Sequence, residues 1–332
     1  MRLSLFLSLS SALLAAQIAV AQPQAPAPEA ATGRATKTLG TAQRFIAAAA
    51  NPLPATAGRE ILRAGGSAAD AAIAIQLVLN LVEPQSSGIG GGAFFVHWDE
   101  AGRKVTTLDG RETAPAAAKP DRFMRDGKPM PFREAVVGGR SVGVPGTLKL
   151  LEEAHRRWGK LPWADVVAPA VKLAEEGFAI SPRLNGLLAG EKDLPKNALA
   201  AAYFYEPDGK PKTVGTILKN PAFAATLRAV AAQGSEAFYK GQIAEDIVAT
   251  VTGHPTNPGD ITLADLAGYK VEERDPVCGA YRIWRLCGMG PPSSGAVALQ
   301  QMLGILEGQD LRRIGQGADA AHWFTEAGRL AF

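Results

Sequence analysis

Two cysteines and four histidines are all that 332 residues offer as thiolate or imidazole ligands. Cys278 and Cys287 lack CxxC spacing, and His97, His155, His254 and His322 are scattered, so no metal centre is expected. Charge of one sign is equally scarce. Lys and Arg total 35 against 32 Asp and Glu, a net +3, which leaves no surplus to hold phosphates and excludes an electrostatic nucleic-acid binder. Only 20% of residues are charged while 47% are hydrophobic, so the chain is not disordered. Its 36 glycines and 23 prolines follow no period, which excludes a collagen-like fibre. No repeat of solenoid length occurs. What remains is a folded chain, long enough for about two domains or one large α/β unit and able to bury a core without metals or many disulfides.

The chain opens with Arg2 and an apolar run, Leu3 to Val20, ending in Ala19-Val20-Ala21. Small-x-small is the cleavage pattern of a secretory signal, so residues 1–21 are read as a removable signal peptide. A membrane anchor is the alternative. Ser4, Ser8, Ser10, Ser11 and Gln17 interrupt the run, however, and no stop-transfer charge cluster follows. Residues 22–35, rich in Pro and Ala, read as a flexible tether. No later segment has 18 uninterrupted apolar residues, so a periplasmic or secreted protein without a stable membrane span is expected. Export to an oxidising compartment permits a Cys278–Cys287 disulfide between neighbouring extended segments, provided their Cα atoms come within about 7 Å. Two reduced, half-buried thiols are the other reading.

Ser67 followed by Asp70 forms a capping box that opens an apolar helix, which Pro84 ends near Val82. A glycine-rich loop at 85–92 then leads into the strand-like Ala93–Trp98, a turn, and a partner strand Lys104–Leu108 with Arg111 just beyond it. The loop matches G-x-G-x-x-A, but it follows a helix and opens a strand, the reverse of a dinucleotide site. Gly139-Arg140-Ser141-Val142-Gly143 matches G-x-S-x-G, yet Val144-Pro145-Gly146 separates Ser141 from the next helix, where a nucleophile elbow needs none. Helices are expected at Thr147–Trp158, Trp163–Glu176, Ala222–Gln233, Gly241–Val251, Ala296–Leu306 and Ala318–Leu330. Breaks are expected at Pro182, Pro195, Pro207 and Pro221. Glu152-Glu153 and Glu175-Glu176 read as solvated faces.

In order, the segments GGSAADAAIA, LVEPQSSGIGGGAFFV, LDGRETAP, SVGVPGT, GKLPWADVVAPAVKLAEEGF, AFYKGQIAEDIV, DLAGYKVEERDPV and GMGPPSSG resemble the γ-glutamyltransferase, or glutathione hydrolase, family. The resemblance covers almost the whole chain after residue 35. It implies an α+β fold, the αββα sandwich of N-terminal-nucleophile hydrolases, incomplete in this chain. It also implies a precursor that cuts itself into two subunits, with residues 36–332 corresponding to the large one. The nucleophile would be the N-terminal Thr of the small subunit, expected beyond Phe332. Its own α-amino group or water would take the hydroxyl proton, with no cofactor. No catalytic residue is therefore expected here, and the chain alone is expected to be inactive. Arg111 matches the family's arginine that grips the glutamyl α-carboxylate, and a planar guanidinium suits that task. The preceding Gly110 stands where many relatives carry a larger residue. The alternatives are a cephalosporin-acylase-like relative, a serine α/β-hydrolase and a non-catalytic fragment.

Overall fold

The computed structural model describes residues 39–332, and residues 42–332 form one compact unit. The expected signal peptide and tether, residues 1–35, lie outside the described residues. The principal helices are α1 (Pro52–Arg63), α2 (Ala68–Val82), α3 (Thr147–Trp158), α4 (Trp163–Glu176), α5 (Pro221–Gln233), α6 (Gly241–Thr252), α7 (Gly295–Leu306) and α8 (Ala318–Ala331). The principal strands are β1 (Ala93–Asp99), β2 (Lys104–Gly110), β3 (Glu272–Arg274), β4 (Val277–Tyr281) and β5 (Trp284–Gly288).

Helix α2 is the centre of the core. Its capping box forms as expected: Ser67 Oγ accepts from Asp70 N, and Asp70 Oδ2 accepts from Ser67 N. Ile73, Leu77 and Val78 are fully buried against Leu148 and Leu151 of α3, Val166, Val167 and Ala170 of α4, and Leu227 and Val230 of α5. Each such aliphatic side chain removed from water stabilises the fold by roughly 1.5–3 kcal/mol. Asp70 is also fully buried. Its Oδ2 accepts from Lys160 N and Leu161 N at 2.9 and 3.2 Å, so one carboxylate both starts α2 and pins the α3–α4 turn to it.

Strands β1, β2 and β3 form an antiparallel sheet with β2 in the middle. Leu108 faces the helices and is fully buried with Leu150 and Ala154 of α3. Trp158 covers the other end of the sheet by stacking on His97, ring centres 4.1 Å apart. Burial lowers the His97 pKa, more than Asp99 raises it, which favours the neutral imidazole. Strands β4 and β5 form a separate hairpin in which Cys278 faces Cys287 directly. The two are bridged, with Cα atoms 4.1 Å apart.

The helical stretch is interrupted at Pro182 and Pro221, and each proline begins the helix that follows, behind Ser181 and Asn220, whose side chains cap. A proline suits the first helical turn, where its missing N–H is not needed. One expectation changes: Glu152 is half-buried rather than on a solvated face, and its carboxylate accepts from the backbone N and the Oγ of Ser235 and so holds a distant loop to α3.

Candidate active site

Arg111 follows the last paired residue of β2, Gly110, which is in register with Ala93. Its N–H donates to Asp109 Oδ1 at 2.8 Å. The other carboxylate oxygen of Asp109 accepts from Arg274 Nε of β3 at 2.6 Å. The Arg111 carbonyl accepts from Tyr269 Oη at 2.7 Å. Both main-chain polar groups of Arg111 are thus held by side chains. Burial, followed by the carboxylates of Asp109, Glu112 and Glu272, pushes the Tyr269 phenol well above its ordinary range, so it stays a donor. By contrast, the Arg111 side chain is 54% exposed, and its one carboxylate neighbour within 4 Å among the described residues is Glu112, at 3.5 Å. The guanidinium is anchored at its root and available at its tip.

Gly110 has a packing reason. A Cβ there would lie 2.5 Å from Leu150 Cβ, so the missing side chain lets β2 lie directly on α3. The departure at this position affects the support of Arg111 rather than its guanidinium.

Arg111 lines an open cleft of about 470 Å³. One wall is the glycine loop between α2 and β1. Gly91 O accepts from Gly146 N and Thr147 N, at 2.9 and 3.1 Å, and so ties this loop to the start of α3. A Cβ at Gly92 would lie 2.8 Å from Arg111 Cα, which shows how closely the loop lies on the arginine segment. The opposite wall is the SVGVPG segment, joined to the arginine segment by paired bonds between Thr113 and Val144, at 3.2 and 2.8 Å. Arg122, Phe123 and Arg140 complete the lining.

The arginine walls are internally braced. Arg122 Nη1 donates to both oxygens of Asp260 at 2.6 and 2.7 Å, and its Nε donates to the Arg140 carbonyl at 2.8 Å. Arg140 answers with Nη1 to the Arg122 carbonyl at 2.9 Å and Nε to Asn257 Oδ1 at 2.8 Å. The cleft is therefore cationic and offers hydrogen-bond donors to an anion.

Serine chemistry does not fit this cleft. Gly139–Ser141 is a single 3₁₀ turn, the next helix begins only at Thr147, and Ser141 Oγ donates to the Val136 carbonyl at 2.6 Å. The G-x-S-x-G match is thus not a nucleophile elbow, and the α/β-hydrolase alternative falls. The G-x-G-x-x-A match lies between a helix and a strand, the wrong context for a nucleotide. The bridged cysteines are not among the cleft-lining residues. Among the described residues no group of three or more His, Cys, Asp or Glu could hold a metal.

Arg111 lies just past a strand end, as the sequence suggests, but its supports carry no local signal. Tyr269 and Arg274 lie in DLAGYKVEERDPV, a segment with no chemical motif of its own. Arg122 and Arg140 carried no local signal beyond their charge.

Among the known proteins similar to this one are two enzyme precursors and a solved transpeptidase. The Helicobacter pylori γ-glutamyltranspeptidase crystal structure superposes with a TM-score of 0.83 at 34% identity, covering 89% of this chain and 84% of that one. The "Glutathione hydrolase proenzyme" of Bacillus subtilis (strain 168) is 39% identical over 272 residues, 82% of this chain and 46% of that protein. The "Acylase ACY 1 proenzyme" of Pseudomonas sp. (strain V22) is 38% identical over 318 residues, 92% of this chain and 56% of that protein. The fold is that of N-terminal-nucleophile hydrolases. A family model described as gamma-glutamyltranspeptidase matches residues 54–332, and the chain belongs to that family. It spans about half the length of the curated relatives it matches.

Proposed function

We propose that this chain supplies the donor-binding part of an exported enzyme that moves γ-glutamyl groups from glutathione and similar amides to water or an amine. The carrying observation is Arg111: a half-exposed guanidinium in an open cleft, with both its main-chain groups held in place. A substrate α-carboxylate would take two parallel, charge-assisted bonds from it. The acyl group would pass to the N-terminal Thr of a companion subunit cut from the same precursor, whose own amine serves as base. That both curated relatives are called proenzymes supports this division. The companion would cover apolar side chains exposed on the hairpin and on α8, Ile283 (87%), Trp284 (65%) and Phe324 (62%). The N-terminal signal and the Cys278–Cys287 bridge fit an oxidising, extracytoplasmic compartment.

The full-length, processed protein tests this reading. It is expected to release aniline from a γ-glutamyl anilide faster than from a glutaryl anilide, which lacks the amino group. The acylase-named relative supplies the second reading. Faster release from the glutaryl compound would replace the first reading with the second.

Tyr269 is expected to act on the same site at one remove. Tyr269→Phe deletes only the hydroxyl that holds the Arg111 carbonyl. Loss of one such bond, about 1 kcal/mol, should raise the donor KM roughly fivefold with kcat nearly unchanged. Steady-state kinetics that showed a fall in kcat at constant KM would contradict a positioning role.

A further inference from the structure

We propose that Arg140 is a second carboxylate site in the same cleft, for the amine half of the substrate. This rests on the γ-glutamyl reading above and names the substrates it favours: γ-glutamyl amides whose leaving amine carries its own carboxylate, as an amino acid or peptide does. The accepting amine enters where the leaving amine departs, so the same preference extends to acceptors.

The charge balance of the cleft leaves Arg140 as the surplus. Arg111 faces Glu112. Arg122 is paired with Asp260. Among the described residues no carboxylate ion-pairs with Arg140, although it is half-buried. Glu112 is the one acidic residue lining the cleft, and it is on the Arg111 side. A charged group withdrawn from water is costly unless an opposite charge meets it.

Arg140 is nevertheless fixed. Its Nε and Nη1 donate to neutral oxygens, Asn257 Oδ1 and the Arg122 carbonyl. Gly139 N and Arg140 N both donate to the Asn257 carbonyl, at 2.8 and 3.2 Å. The Asn257 amide donates in turn to the carbonyls of Glu134 and Val137, at 3.0 and 2.9 Å. Neutral acceptors orient the guanidinium without cancelling its charge. A ligand carboxylate would then gain a prepaid orientation, the condition under which charge-assisted bonds are strongest. Phe123 and Val142, which line the same cleft, supply apolar surface for the carbon chain of the ligand.

Two donors separate this role from a structural one: γ-glutamylglycine, and γ-glutamylglycinamide, in which an uncharged carboxamide replaces the carboxylate. The processed full-length parent is expected to prefer γ-glutamylglycine roughly tenfold in kcat/KM. In Arg140→Gln the preference is expected to fall to about unity, chiefly through loss on γ-glutamylglycine. Because this is a ratio taken on one preparation, a fall in the folded fraction does not move it. Parity in the parent, or an unchanged preference in Arg140→Gln, overturns the proposal. Arg111→Ala should weaken both donors equally. If it weakens neither, Arg111 is not the α-carboxylate site; the γ-glutamyl reading itself fails if the glutaryl anilide is the faster substrate, while the Arg140 ratio still reports on the second site.

Discussion

Arg111→Ala in the full-length protein is expected to raise the KM for a γ-glutamyl donor roughly a hundredfold, about 3 kcal/mol of lost binding. The size follows from the type of bond: removing one partner of a bidentate, charge-assisted pair costs more than removing a neutral hydrogen bond. Folding should be almost unaffected. The side chain makes one long contact, to Glu112 at 3.5 Å, while the residue is held through its N–H and carbonyl, which alanine keeps. Precursor processing should also proceed, because the change removes only a substrate contact. Calorimetry of the variant should show a melting temperature near that of the parent, as for other surface substitutions. Unchanged donor KM would remove Arg111 from the site.

Asp70→Ala is expected to do the reverse, costing about 3–5 kcal/mol of stability. Asp70 is fully buried and accepts from the main-chain N–H groups of Ser67, Lys160 and Leu161. Its second oxygen lies 3.7 Å from His155 Nε2. Alanine leaves three donors without that acceptor, and a buried unpaired donor costs about 1–3 kcal/mol. Lys160 is exposed and Ser67 and Leu161 are only half-buried, which keeps the total below the full sum. The ends of α2 and of the α3–α4 turn should loosen together, since one carboxylate joins them. Urea unfolding of the purified variant reads the effect directly, and a loss below about 1 kcal/mol would contradict it.

Local features were legible. Ser67, Asp70 and Pro84 mark both ends of α2, and the β1–β2 hairpin follows from two short apolar runs around a turn. Each depends on neighbours within a few residues. The supports of Arg111 were not legible for the opposite reason: Tyr269 is 158 residues away, and Arg274 meets Asp109 across 165. No periodicity encodes such pairs; they exist only once β3 is in register with β2. Gly110 shows the same limit, because its need for a bare Cα appears only when Leu150 of α3 lies on the strand. Arg111 itself reads locally as a residue past a strand end, and the LDGRETAP resemblance gave it a role. Pro182 and Pro221 mark interruptions of the helical stretch, and the caps Ser181 and Asn220 set each proline as the first residue of the helix that follows.

The most direct test of the Arg111 assignment pairs two donors with two proteins. A γ-glutamyl anilide is compared with a 4-aminobutyryl anilide, which keeps the amine and lacks the α-carboxylate, in the processed parent and in Arg111→Ala. The parent should prefer the carboxylated donor roughly a hundredfold in kcat/KM, and the variant should show almost no preference. If the variant discriminates between the donors as strongly as the parent does, the α-carboxylate is recognised elsewhere.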